Sequence, residues 1–242
     1  MAAFSGQIAV ITGASSGIGK AIALGLAAQG VALCLVGRRR DTLEVVAQQV
    51  HALGPCVRPY LADLTLDHDL KKLTTHLQRD IERLDLLVHS AGAISLGRIE
   101  TAPVADFDWQ YRTNVRAPYV LTQALLPMLK ASRGQIVFIN SSAVLTPKPN
   151  AGQYAATKHA LKAVADSLRA EVNDDGLRVL SVYPGRTASP MQVLVHQFEG
   201  RECYPERLLQ PEDVATAVIN ALSLPRTAEV TDLHIRPLLK PL

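Results

Sequence analysis

The chain has 242 residues, 48% of them hydrophobic, with a net charge of +3 and a pI near 8.8. This is enough apolar material for one large core, and with no linker, low-complexity block or internal repeat the expectation is a single domain over 1–242. Scattered basic residues, short apolar runs, a first stretch without a leader pattern and three isolated cysteines (Cys34, Cys56, Cys203) argue against nucleic acid, membrane, secretion, a disulfide framework or a metal site, so a cytoplasmic protein is expected.

In chain order, residues 8–11 read as a buried strand and 17–29 as a helix closed by Gly30. Residues 32–36 form a second strand, 42–53 a helix stopped by Gly54-Pro55, 57–61 a weaker third strand and 66–83 a helix. A fourth strand spans 86–88, a long helical pattern 107–130 and a fifth strand 136–139. Residues 153–173 read as a helix ending near Gly176, and 179–182 as a sixth strand. A helix over 212–224 begins at Pro211, and 230–235 reads as a last strand. The strands are apolar throughout, which predicts cover on both faces. Their alternation with helices predicts an α/β, Rossmann-like, doubly wound parallel sheet whose ligands bind beyond the carboxyl ends of the strands.

The segment Thr12-Gly13-Ala14-Ser15-Ser16-Gly17-Ile18-Gly19 joins the first strand to the first helix. Glycines there let a ligand approach the backbone, and the free N–H groups of the helix start face an anion. Ser15 and Ser16 add hydroxyl donors. The glycine spacing differs from Gly-x-Gly-x-x-Gly, and no Gly-Lys-Ser/Thr follows, which disfavours an ATP-binding loop. The second strand ends Val36-Gly37-Arg38-Arg39, without a carboxylate to accept from a ribose 2′-hydroxyl. A guanidinium at that place suits a 2′-phosphate, so the expected cofactor is NADP, with NADPH preferred over NADH. Asp63-Leu64, after the third strand, is placed to bracket the adenine, with a helix cap as the alternative role for Asp63.

Tyr154 and Lys158 stand four residues apart and so share one helix face. A nearby ammonium favours a phenolate, and Lys158 together with the nicotinamide charge is expected to bring Tyr154 toward the working pH. Ser141 ends the fifth strand thirteen residues earlier and can hold a substrate oxygen beside the phenol; Ser142 competes for that role. Pro118 lacks the N–H that would bond the Asn114 carbonyl, which leaves that oxygen free to hold a water connecting Lys158 to solvent.

Taken together, Thr12 to Gly19, Asp63-Leu64, Ala91-Gly92, Asn114, Ser141, Tyr154 with Lys158, and Pro184-Gly185 resemble the short-chain dehydrogenase/reductase family in its single-domain form. The resemblance implies seven strands in the order 3-2-1-4-5-6-7 and a catalytic set of Asn114, Ser141, Tyr154 and Lys158. It implies that Lys158 also holds the nicotinamide ribose, that Pro184-Gly185 flanks the nicotinamide, and that Thr187 or Ser189 lies near its carboxamide. It further implies a homodimer or homotetramer formed through the helices around 107–130 and 153–173. The sequence departs from the family at His89-Ser90-Ala91-Gly92, where Asn-Asn-Ala-Gly is usual, and loss of loop-bracing bonds is expected there. It also carries Ser189 where many members place Thr.

The implied activity is NADPH-dependent interconversion of a carbonyl and a secondary alcohol on a small-molecule substrate. A cofactor sensor without turnover is the alternative, and an epimerase or dehydratase a further rival. Residues 188–210, with Met191, Val193, Leu194, Val195, Phe198 and Tyr204, are expected to form a substrate lid, against the alternative of an ordinary surface helix.

Overall fold

The computed structural model describes residues 4–239. Its first half runs β1 (Ile8–Thr12), α1 (Gly17–Ala27), β2 (Ala32–Gly37), α2 (Arg40–His51), β3 (Val57–Leu61), α3 (Asp67–Asp80) and β4 (Leu86–His89). It continues with α4 (Val104–Tyr111), a π-helical turn (Arg112–Arg116), α5 (Ala117–Ser132), β5 (Gln135–Ile139) and α6 (Gly152–Val172). It closes with β6 (Arg178–Pro184), α7 (Pro190–Glu199), α8 (Pro211–Leu222) and β7 (Asp232–Ile235). Each neighbouring strand pair is parallel, and the sheet order is 3-2-1-4-5-6-7.

The unbroken apolar character of the strands has a direct structural cause. Successive side chains leave a strand on opposite faces, and here both faces are covered. Ala9, Ile11, Leu33 and Leu35 pack in one core with α1, α2 and α8. Val10, Cys34 and Val36 pack in the other with residues of α3, α5 and α6. The result is a three-layer sandwich whose strands all end on one side, where the loops gather.

The expected helix over 107–130 is interrupted. A continuous α-helix would ask Pro118 to donate to the Asn114 carbonyl, and proline has no N–H to give. The chain opens into a wider turn instead, in which the Ala117 N–H reaches back five residues to the Arg112 carbonyl. This turn carries Asn114 into the interior, where it is fully buried. The third helix is also shorter than 66–83, because Ile81 already adopts extended backbone.

Candidate active site

A cleft of about 1220 Å³ lies over the carboxyl ends of the strands. One end is made by the turn from β1 into α1. Gly13 has φ of +66°, and a Cβ there would come within 2.7 Å of the Ala91 backbone. A Cβ on Gly19 would come within 2.4 Å of the Gly13 carbonyl oxygen. These two glycines therefore let three backbone segments pack against one another, and Gly19 is buried behind the cleft wall rather than lining it. Ser15, Ser16, Gly17 and Ile18 do line it. Ser16 begins α1 without a side-chain cap, which leaves the first-turn N–H groups for a ligand. A diphosphate fits this cradle: backbone donors, hydroxyls and a helix dipole converge where no side chain intervenes.

Arg38 and Arg39 line the same end, while Arg40 starts α2 and pairs with Glu44 at 3.3 Å. Asp63 is largely used in its own turn. Its Oδ1 accepts from the Thr65 N–H at 2.9 Å and the Thr65 hydroxyl at 2.7 Å. The cleft wall here is Asp63-Leu64, with the carboxylate as a turn former.

Beneath the middle of the cleft, Asn114 satisfies its side chain completely. Oδ1 accepts from the Ala93 N–H at 2.7 Å, and Nδ2 donates to the Ala93 carbonyl at 2.8 Å and to the Thr157 hydroxyl at 2.9 Å. Thr157 passes the link on by donating to the Tyr154 carbonyl at 2.8 Å. Asn114 thus ties the loop after β4, with its cleft-lining Ala91 and Gly92, to the helix that carries Tyr154, and does not itself line the cleft. The expected weakening at His89-Ser90 is made good from elsewhere. Thr12 Oγ1 accepts from the N–H groups of Ser90 and Ala91 at 3.1 and 3.2 Å. His89 points away from the loop, stacks on Phe138 at 4.9 Å and meets the Thr122 hydroxyl at 2.8 Å. Burial lowers its imidazole to about 3, so it is a neutral core residue.

Tyr154 and Lys158 both line the cleft from α6, and both are buried. Lys158 Nζ sits 5.9 Å from the Tyr154 ring centroid and donates to the Ile139 carbonyl at 3.0 Å. Ser141 ends β5, caps the short helical turn Ser142–Val144 by accepting from the Ala143 N–H at 3.1 Å, and hydrogen-bonds the Tyr154 phenol. This contact separates Ser141 from Ser142, which lines the cleft without it. The electrostatics correct one expectation. Burial raises the phenol above its ordinary range, Ser141 offsets part of that, and Lys158 is not among the causes. Burial also lowers the Lys158 ammonium to about 8. The phenol by itself is therefore a protonated acid at neutral pH, and any lowering must come with a bound ligand.

The far end is formed by the turn after β6 and by α7. Pro184, Gly185, Thr187 and Ser189 line it. Thr187 donates to the Gly185 carbonyl at 3.1 Å, and Ser189 caps α7 by accepting from the Gln192 N–H at 3.3 Å. Met191, Leu194, Val195 and Phe198 face the cleft, whereas Val193 and Tyr204 do not line it. Arg186 holds Glu199 at 2.5 Å, pinning α7 to the turn after β6 and keeping the Glu199 carboxyl below its usual range.

Three residues have a role that the sequence reading did not assign. Thr12 and Thr157 carry the bonds just described; Thr157 stands on the same helix face as Tyr154, a signal that was available. Asn140 lines the cleft beside Ser141, is 4% exposed, and neither amide atom has a hydrogen-bond partner. A polar residue at a strand end looks like any turn residue, so no local pattern singles it out.

A family model described as short chain dehydrogenase matches residues 7–200. An uncharacterised oxidoreductase of Staphylococcus epidermidis is 33% identical over 238 residues, covering 98% of this chain and all of that protein. An alcohol dehydrogenase of Thermococcus sibiricus, solved with 5-hydroxy-NADP, superposes with a TM-score of 0.88 at 28% identity over 98% of each chain. L-sorbose reductase of Gluconobacter frateurii, solved with NADPH and L-sorbose, gives 0.88 at 27% identity over the whole of both chains.

Proposed function

Since the chain belongs to the short-chain dehydrogenase family and is an NAD(P)-dependent oxidoreductase, we propose that it reduces a small-molecule carbonyl to an alcohol with NADPH, using Tyr154 as the acid. The observation that carries this reading is that buried Tyr154 and Lys158, with the half-buried Ser141 on the phenol, share one cleft with the glycine turn.

The cofactor, when bound, supplies the hydride. The α1 turn holds its diphosphate, Asp63-Leu64 the adenine side, and Lys158 with Pro184-Gly185, Thr187 and Ser189 the nicotinamide side. Arg38 and Arg39 meet the 2′-phosphate with charge-assisted hydrogen bonds. NADP-bound neighbours in solved structures support this choice. At the reacting end, Ser141 and Tyr154 together hold the carbonyl oxygen. The Tyr154 O–H bond breaks as its proton passes to that oxygen, and the carbonyl becomes an alcohol. The resulting phenolate is reprotonated through the Lys158 ammonium, which a water on the Asn114 carbonyl connects to solvent. Asn114 acts here as a positioning residue, through the bonds that brace the loop and α6. Exposed apolar side chains on α4 and α5, among them Val104, Tyr111 and Tyr119, support self-association as a homodimer or homotetramer.

A carbonyl panel followed by NADPH absorbance, with NADH run in parallel, tests the reading. Turnover of at least one carbonyl is expected. Tyr154→Phe is expected to lower kcat by about 10²–10⁴ while NADPH binding persists; full activity in that variant overturns the assignment. Arg38→Asp is expected to cut the NADPH:NADH preference about tenfold or more by removing a charge-assisted bond. An unchanged preference removes Arg38 from the 2′-phosphate site.

A further inference from the structure

Six basic side chains line the cleft against two acidic ones, and that excess is not all explained by the chemistry above. Lys158 is committed to the phenol and the Ile139 carbonyl, and Arg186 is neutralised by Glu199. Arg38 and Arg39 follow β2, three strands from β5 in the sheet order. Strands lie about 4.8 Å apart, so that end is about 14 Å from the end of β5 and about 19 Å from that of β6. Lys148, in the loop after β5, and Arg201, just past α7, are left over. Both are exposed, both line the cleft, and neither forms an ion pair among the described residues. Arg201 is held in place by its N–H, which donates to the His196 carbonyl at 3.0 Å around the left-handed Gly200.

The cleft lining that these two cations share also carries exposed apolar side chains. Leu145, Leu194 and Phe198 line the cleft and are 58%, 61% and 51% exposed. Large apolar side chains left open on a concave wall await an apolar occupant. Each of these walls carries a cation outside any close ion pair, with the Arg201 charge also felt by Glu199, and an exposed apolar side chain; together they favour an amphipathic ligand.

Resting on the reductase reading, we propose that the natural substrate is a carbonyl compound with an apolar body and an anionic end: the body packs on Leu145, Leu194 and Phe198, and Lys148 and Arg201 hold the anion. Its carbonyl reaches Ser141 and Tyr154 while the charge remains at the mouth, so the anion selects and orients without entering the reaction.

Kinetics with NADPH and benzaldehyde, 4-carboxybenzaldehyde and 4-formylphenyl phosphate test this in the wild type, Lys148→Glu, Arg201→Glu and the double variant. In low salt the charged aldehydes are expected to show about tenfold higher kcat/KM than benzaldehyde, a preference that salt weakens. The double variant is expected to erase it and leave the benzaldehyde kinetics and the KM for NADPH unchanged. Preference for the carboxylate over the phosphate identifies a carboxylic acid substrate; the reverse identifies a phosphate ester. Benzaldehyde reduced as well as the charged compounds, or a preference that survives the double variant, overturns the proposal. A changed KM for NADPH instead assigns the two cations to the cofactor and overturns it too. A second readout separates this outcome from failure of the reductase reading. Trp109, the single tryptophan, lines the cleft, so its fluorescence reports binding of 4-carboxybenzyl alcohol against benzyl alcohol. Charge-dependent binding without turnover of any aldehyde leaves the anion site standing and removes the reductase; charge-independent binding removes the anion site.

Discussion

The floor of the cleft and its α7 wall differ in how their side chains are held. On the floor, Asn114, Thr157 and Lys158 are almost fully buried and are tied by hydrogen bonds of 2.7–3.0 Å to Ala93, the Tyr154 carbonyl and Ile139. On the wall, Leu194 and Phe198 are more than half exposed. The wall is fixed on its inner side, by the Arg186–Glu199 pair, the Ser189 cap, the buried His196 that meets Arg186 at 3.3 Å, and Met191, whose Cε lies 3.6 Å from where a Gly92 Cβ would stand. The floor is organised before any ligand arrives, as a proton-transfer site needs to be. The wall takes its final contacts from the ligand. On the proposed reading, the floor sets the reaction type and the wall the substrate choice, and the two can change separately.

The largest break in that comparison is expected from Asn114→Ala. It leaves the buried N–H and carbonyl of Ala93 without partners, each costing about 1–3 kcal/mol. A loss of about 2–6 kcal/mol in urea denaturation should accompany a fall in kcat, because loop and helix lose their common brace. An Asn114→Ala protein of normal stability and kcat would show that the floor does not need it.

His89 gives a second, smaller effect that belongs to the floor alone. Its imidazole is near 3 in the folded protein and about 6.5 when unfolded. Below pH 6.5 the unfolded chain takes up a proton that the folded chain refuses, so stability falls as pH falls. The slope from this one group approaches about 1.4 kcal/mol per pH unit between the two values. His89→Asn should remove that part of the slope, measured by denaturation from pH 7 to pH 5, whatever it does to stability at pH 7. The smallest effect on folding is expected from Phe198→Ala: within about 0.5 kcal/mol in stability, as for a surface side chain. Its KM for apolar carbonyls should nonetheless rise several-fold. A large loss of stability there would make α7 part of the floor's architecture and end the comparison.

Much of the site was legible because its signals are local. The α1 turn, the Arg38-Arg39 pair, Ser141, and Tyr154 with Lys158 each sit next to a strand end or at a helical spacing, and the structure brings all of them to one cleft. The fault in the helical pattern over 107–130 was legible in Pro118, which cannot bond the Asn114 carbonyl. A missing donor announces a fault in a helix but not whether the chain kinks, breaks or widens into a π-turn. Thr12, Thr157 and Asn140 were given no role because Thr12 and Thr157 act through partners 43 or more residues away, and Asn140 stands out only by the lack of any side-chain partner.

From its sequence alone the chain determined the alternation of strands and helices, the site of the glycine turn, and the shared face of Tyr154 and Lys158, since these follow from backbone sterics and a repeat of 3.6 residues. Tertiary structure alone decided that Asn114 braces two segments rather than lining the cleft, that Ser141 rather than Ser142 meets the phenol, and that burial raises Tyr154 while lowering Lys158. Desolvation and hydrogen-bond pairing depend on which distant segments exclude water from a group, and no short stretch of sequence contains that information.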